Sequence, residues 1–258
     1  MQHQKTIFIS GATGYLANAL IPKLLLRGHR VHALVRPGSE KKVPAPDYST
    51  PCAGRQGVPR TNSFFPLHPP ALEFAKTNSF FPAGCITVVG NALDGASFTA
   101  RVPEGCTYIH LLGASRPAPW KGKQFREIDL PSIKASVSAA VAAKVSHFVY
   151  VSVAHPAPVM NSYIDVRKKG EAAIRATGLA ATILRPWYVL GPSHRWPLAL
   201  LPFYALLEKF SATREATRRL ALVTIVEMTN ALLWTIEHTP SGVRVLGVPE
   251  IKNLPAQP

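Results

Sequence analysis

The stretch Lys5-Thr-Ile-Phe-Ile-Ser-Gly-Ala-Thr-Gly-Tyr-Leu-Ala17 restricts the fold more than any other part of the chain. Apolar and β-branched residues run up to Ser10, Gly11 and Gly14 then make a tight turn, and Leu16, Leu20 and Leu24 follow at helical spacing. A strand, a glycine turn and a helix N-terminus make a site for a pyrophosphate. Glycine lets the backbone approach the anion, while unpaired N–H groups and the helix dipole stabilise its charge. The spacing is G-x-x-G-x-x-A rather than G-x-G-x-x-G.

Behind this unit, strand-like and helix-like segments alternate. Strands are expected at Thr6–Ser10, Arg30–Val35, Cys85–Val89, Thr107–Leu112, His147–Ser152 and Ala181–Leu184, with a weaker one at Val243–Val248. Helices are expected at Tyr15–Leu26, Gly95–Arg101, Lys123–Ala143, Met160–Thr177, Leu198–Phe210 and Ile225–Glu237. Continuously apolar strands in regular β-α alternation imply a parallel sheet covered on both faces. Gly28 and Gly178 stand where helix C-caps belong, and Pro22 argues for a kink in the first helix.

The segment Pro44–Pro82 breaks the rhythm. It is rich in Pro, Ser, Thr and Asn, and Thr61-Asn-Ser-Phe-Phe-Pro66 recurs as Thr77-Asn-Ser-Phe-Phe-Pro82. Removing it leaves an ordinary short connection, so it reads as a surface insertion, disordered or loosely packed, in one domain spanning 1–258. A lid anchored by Phe64, Phe65, Phe80 and Phe81 is the alternative reading.

Composition mostly excludes. With 258 residues and 47% hydrophobic residues, the chain can bury a full core. The formal charge of +15 admits nucleic acid or an anionic surface as partner, but the basic residues are dispersed and no nucleic-acid motif is present. A solvated basic surface is the preferred reading. Three cysteines without C-x-x-C spacing and scattered histidines argue against a disulfide framework and a metal site. No apolar run approaches the ~20 residues of a membrane span, and no leader peptide is legible, so a cytoplasmic location is expected.

Arg36 closes the second strand, where an acid would bond the 2′-hydroxyl of NAD and an arginine suits the 2′-phosphate of NADP. No acid is read near it, and Ser39, Lys41 and Lys42 add donors. Gly90-Asn-Ala-Leu-Asp94 and Leu111-Leu-Gly-Ala-Ser115 follow the third and fourth strands. Both fall at carboxyl ends of strands, where an open α/β sheet binds its ligand. Asn91 suits adenine edges, and Gly113 and Ala114 allow close approach.

These segments, with Phe-Val-Tyr-Val-Ser152 and Leu-Arg-Pro-Trp-Tyr-Val-Leu-Gly-Pro192, resemble the short-chain dehydrogenase/reductase superfamily in its extended and atypical branches. NmrA-like and complex-I-subunit-like members are the nearest in pattern. The resemblance implies a doubly wound Rossmann sheet of order 3-2-1-4-5-6, possibly with a seventh strand, and NADP(H) rather than NAD(H) across its carboxyl edge. It further implies a substrate side built by residues 187–258. The cofactor set is then Gly11, Thr13, Gly14, Tyr15, Leu16, Arg36, Asn91, Ala92, Leu112, Gly113, Ala114 and Pro186. Family catalysis uses a serine, a tyrosine and a lysine four residues later. Here those positions hold Ser152, Tyr163 and Arg167, and Lys168 and Lys169 point about 100° and 200° further round the helix.

The implied activity is NADP(H)-dependent oxidoreduction of a lipophilic carbonyl or quinone-like substrate. Tyr163 would exchange the proton, Ser152 would orient substrate, and Arg167 would hold ribose and charge. Because arginine is not lysine, a non-catalytic NADP(H)-binding redox sensor or docking protein is the alternative. An epimerase or dehydratase of nucleotide-linked substrates stands third. The apolar run Trp196–Phe210 reads first as a pocket wall, with core packing next and peripheral membrane contact least favoured.

Overall fold

In the computed structural model the described residues are 4–40, 85–114, 118–191, 215 and 218–256. The insertion 44–82, the helix expected at Leu198–Phe210 and much of the 187–258 region lie outside them.

The strands are β1 (Thr6–Ser10), β2 (Arg30–Val35), β3 (Cys85–Val89), β4 (Thr107–His110), β5 (His147–Val151), β6 (Ala181–Leu184), β7 (Tyr188–Leu190), β8 (Leu222–Thr224) and β9 (Val243–Leu246). Seven of them form one parallel sheet in the order β3-β2-β1-β4-β5-β6-β9. The expected Rossmann order therefore holds, and the weak last strand is the seventh. β7 and β8 form a separate parallel pair that the sequence did not announce.

Register builds both faces. Phe8, Tyr108 and Phe148 are partners across β1, β4 and β5, and their rings follow one another at 4.9 and 5.2 Å. Their odd-numbered neighbours Ile7, Ile9, Ile109 and Val149 point to the other face, as the two-residue period requires. That face is covered by α1 (Tyr15–Leu26), through Leu20, Ile21 and Leu24, and by the later helix Ile225–Glu237. The aromatic face is covered by the helix Leu130–Ala142, through Ile133 and Val137.

α1 runs unbroken through Pro22. The helix expected at Gly95–Arg101 is instead two 3₁₀ turns, Gly95–Ser97 and Thr99–Arg101. Phe98, at φ −141°, interrupts them and is buried. The path expected as one helix from Lys123 has three parts: α2 (Gly122–Gln124), a π-turn at Phe125–Asp129, and α3 (Leu130–Ala142). The π-turn turns both of its end residues, Phe125 and Asp129, into the interior. After α4 (Asn161–Arg175) come α5 (Ile225–Glu237) and α6 (Val248–Asn253). A capping box starts α5: the Glu227 N–H donates to Thr224 Oγ1 at 3.1 Å, and the Thr224 N–H donates to Glu227 Oε2 at 2.6 Å.

Candidate functional site

Four strand ends meet in one cleft of about 400 Å³. β1 contributes Gly11, Thr13 and Gly14; β2 contributes Arg36; β3 contributes Asn91 and Ala92; β4 contributes Leu112, Gly113 and Ala114. Nine of the residues expected from sequence therefore share a single concavity. Gln124 of α2 and Ile128 of the π-turn also line it. They carry no motif, and the polar–apolar pattern of that segment does not distinguish them from ordinary helix positions.

The glycine turn is tight for reasons of contact. Gly11 has φ +79°, and a Cβ there would stand 2.7 Å from the backbone nitrogen of Leu112. Only glycine lets the end of β1 lie this close to the end of β4. The Gly14 N–H donates to the Gly11 carbonyl at 3.0 Å, closing the turn. Gly14 then serves as N-cap of α1 with no side-chain cap, and the first turn carries no acid. The first helical N–H groups and the positive end of the dipole thus face the cleft without an internal anion.

At the far wall, Asn91 is held by its own loop. Its N–H donates to Ser97 Oγ at 2.9 Å, and its Oδ1 accepts from the Leu93 N–H at 3.1 Å. Arg36 is exposed on the rim. The absence of a nearby acid does not hold, because Glu40 belongs to the same loop. Its Oε1 accepts from the Gly38 N–H at 3.0 Å, which keeps the carboxylate in the turn.

Tyr15, Leu16 and Pro186, also expected at the cofactor, do not line the cleft. The Tyr15 phenol lies against Gly191, beyond β7. Leu16 packs on the α1 side of the sheet. Pro186 is buried and accepts from the Ala154 N–H at 2.9 Å, tying the β6 end to the loop after β5.

The three catalytic candidates also lie off the cleft lining, and two are engaged elsewhere. Ser152 is buried and donates to Glu171 Oε1 at 2.6 Å. Glu171 in turn accepts from Arg185 Nε at 3.0 Å and pairs with its Nη2. Arg167 is 5% exposed; its Nη2 donates to Asp129 Oδ1 at 2.7 Å, and its Nη1 donates to the Val151 carbonyl at 3.1 Å. The family resemblance implies a ribose contact for Arg167; here its guanidinium is engaged with a buried carboxylate. A side chain on Gly113 would collide with that guanidinium, so Arg167 sits directly beneath the cleft floor.

Asp129 joins the two regions. Its Oδ2 accepts from the Ala114 N–H at 3.0 Å while Oδ1 holds Arg167. Burial pulls the Asp129 carboxyl above its ordinary value, opposed by Arg167 and the Ala114 N–H. For Arg167, burial acts against the cation but is outweighed by Tyr163, Tyr150 and Asp129, so it stays charged. Tyr163 stands beside this pair, its ring 4.9 Å from the Arg167 guanidinium carbon and 4.9 Å from the Phe125 ring. Burial raises the Tyr163 pKa, with Arg167 opposing, so the group rests as a phenol. Nearby, His110 Nδ1 lies 2.8 Å from Ser10 Oγ and 2.9 Å from Ser136 Oγ. Burial, followed by the Arg167 charge, lowers its pKa to about 3.

Among the described residues no helix is long and apolar enough to cross a membrane, and no cluster of His, Cys, Asp or Glu could hold a metal ion.

No protein-family model matches the chain. A ceramide reductase of Caulobacter vibrioides is 25% identical over 249 residues, 96% of this chain; the chain spans 64% of that relative's length. The Bordetella bronchiseptica enzyme WbmH, solved in complex with NAD+, superposes with a TM-score of 0.58 at 18% identity, over 93% of this chain and 75% of that one. A short-chain dehydrogenase/reductase superfamily protein from Agrobacterium tumefaciens, solved with bound NAD, gives 0.58 at 15% identity, over 94% and 77%. The strand order and these likenesses together show that the chain has a Rossmann α/β fold, shared with these NAD-bound proteins.

Proposed function

We propose that the cleft holds a nicotinamide dinucleotide, NADP(H) in preference to NAD(H), and that the protein is an oxidoreductase acting on a lipophilic carbonyl or quinone-like substrate. The observation that carries this is the cradle at Gly11. A backbone too close for any side chain opens onto an uncapped helix N-terminus free of acids. The N–H groups after Gly11 would hold the pyrophosphate, Asn91 and Ala92 the adenine side, and Arg36 the 2′-phosphate. Bound there, the cofactor supplies a hydride.

The protein's own part is to position and to move a proton. Tyr163, kept as a phenol by burial, suits donation to a substrate oxygen as hydride arrives. Arg167 stabilises negative charge on that ring from 4.9 Å and is anchored by Asp129. The relative named as a ceramide reductase supports both a reductase and a lipophilic substrate. The other named likenesses, solved with NAD, support the cofactor class.

The engagement of Ser152 and Arg167 in buried pairs favours a second reading, a non-catalytic NADP(H)-binding protein. NADPH and NADH titrations followed by tryptophan quenching test the cofactor. NADPH should bind the more tightly, and Arg36→Ser should weaken NADPH by about tenfold while leaving NADH nearly unchanged. Equal affinity for both in the wild type would remove the NADP preference. NADPH oxidation across lipophilic carbonyls and quinones separates the two readings. Turnover that collapses in Tyr163→Phe supports the reductase, whereas tight NADPH binding with no turnover supports the sensor.

A further inference from the structure

Trp120 is 83% exposed, an uncommon placement for the largest apolar side chain. It belongs to the 3₁₀ turn Pro119–Lys121, immediately before α2, whose Gln124 lines the cleft. That turn packs on the start of α4: a Cβ on Gly122 would meet Ser162 Oγ at 3.2 Å. Three residues before Ser162 stands Val159, itself 50% exposed. Pro119, Trp120, Pro158 and Val159 thus give this side of the molecule an exposed apolar rim.

Cations predominate in the chain just after Trp120, and the exposed acid on the neighbouring start of α4, Asp165, is paired with Lys169 at 2.8 Å. Lys121, Lys123 and Arg126 follow Trp120 within six residues, none of which is acidic, and Glu127 comes next. Glu127 lies 3.8 Å from Lys123 with both side chains exposed, a loose pair that competes weakly with outside anions. An indole flanked by cations matches the boundary of a bilayer, where the ring sits at headgroup level and the cations meet lipid phosphates. A protein partner would be expected to meet a rim less dominated by cations.

We propose that the Trp120 rim docks the protein on a bilayer bearing anionic headgroups, turning the mouth of the cleft toward the membrane. This deepens the lipophilic-substrate reading above by giving such a substrate a route that avoids water. Vesicle binding is measured without turnover, so the docking surface and the reductase reading fail separately.

The test is co-sedimentation of the full chain with phosphatidylcholine vesicles and with mixed phosphatidylcholine–phosphatidylglycerol vesicles. The wild type should pellet with the mixed vesicles and much less with pure phosphatidylcholine or at high salt. Trp120→Ala should weaken partitioning about tenfold. Lys121→Gln with Lys123→Gln and Arg126→Gln should remove the salt-sensitive part. Both variants should keep the wild-type melting temperature and NADPH quenching. The proposal is overturned by wild type that stays in the supernatant with both vesicle types, or by Trp120→Ala pelleting as the wild type does. It is overturned equally if the rim proves to be a self-association face, with a dimer that Trp120→Ala disperses and no vesicle binding.

Discussion

The two halves of the carboxyl edge treat their polar groups in opposite ways. On the β1–β2–β3 side, the turn after Gly11 and the rim at Arg36 leave donors directed outward, over a floor kept clear by glycine. On the β5–β6 side, Ser152 and Arg185 pair with Glu171, and Arg167 pairs with Asp129, inside the protein. On the proposed reading, mutations in the first half should show in binding. A half built on buried pairs should show them first in stability.

Asp129→Ala is expected to have the largest effect, because it strands the Arg167 cation in the interior. Urea unfolding should register a loss of about 3–5 kcal/mol. A loss below ~1 kcal/mol would mean that Arg167 finds another partner, and the contrast between the halves would weaken. Gly11→Ala comes next, at about 2–4 kcal/mol, since it forces a side chain at φ +79° against the Leu112 backbone. It should also abolish dinucleotide quenching in whatever fraction remains folded. Retained NADPH binding would move the ligand away from this turn.

Ser152→Ala removes one donor from Glu171 but leaves Arg185 in place, and should cost about 1–2 kcal/mol. If it eliminates turnover while leaving the unfolding midpoint unchanged, Ser152 belongs to chemistry and not to the buried network.

The smallest effect is a pH dependence shared by both halves. Burial lowers His110 to about 3 and His147 to about 4, so the unfolded chain takes up protons that the folded one refuses. Their contribution is complete above the ordinary histidine value near 6.5 and is lost as pH falls toward 4 and then 3. Unfolding midpoints should therefore rise from pH 4 to 6.5. A flat profile would show that both rings protonate without opening the fold.

Much of the sheet was legible because local signals agreed there. β1, β2, β3 and β6 have the expected bounds, since continuous apolar runs ending at glycine or charged residues leave little choice of register. The segment after β3 was read as helix and is two 3₁₀ turns, because Phe98 leaves helical geometry to enter the core. The family resemblance implies that Tyr15 and Leu16 join the cofactor set, yet neither lines the cleft, because each helical step turns about 100° and carries side chains to other faces. The π-turn had no sequence mark, although it sets Asp129 inward.

By itself the sequence determined the Rossmann frame and the glycine turn, because both depend on short-range pattern and on a residue type with no substitute. Tertiary structure alone decided what Arg167 and Ser152 do. Either side chain could have faced a ligand from its place in the motif. The packing of α4 against the π-turn and β6 put a carboxylate within hydrogen-bond reach of each. In a dry interior, a charge or hydroxyl takes the partner that packing supplies.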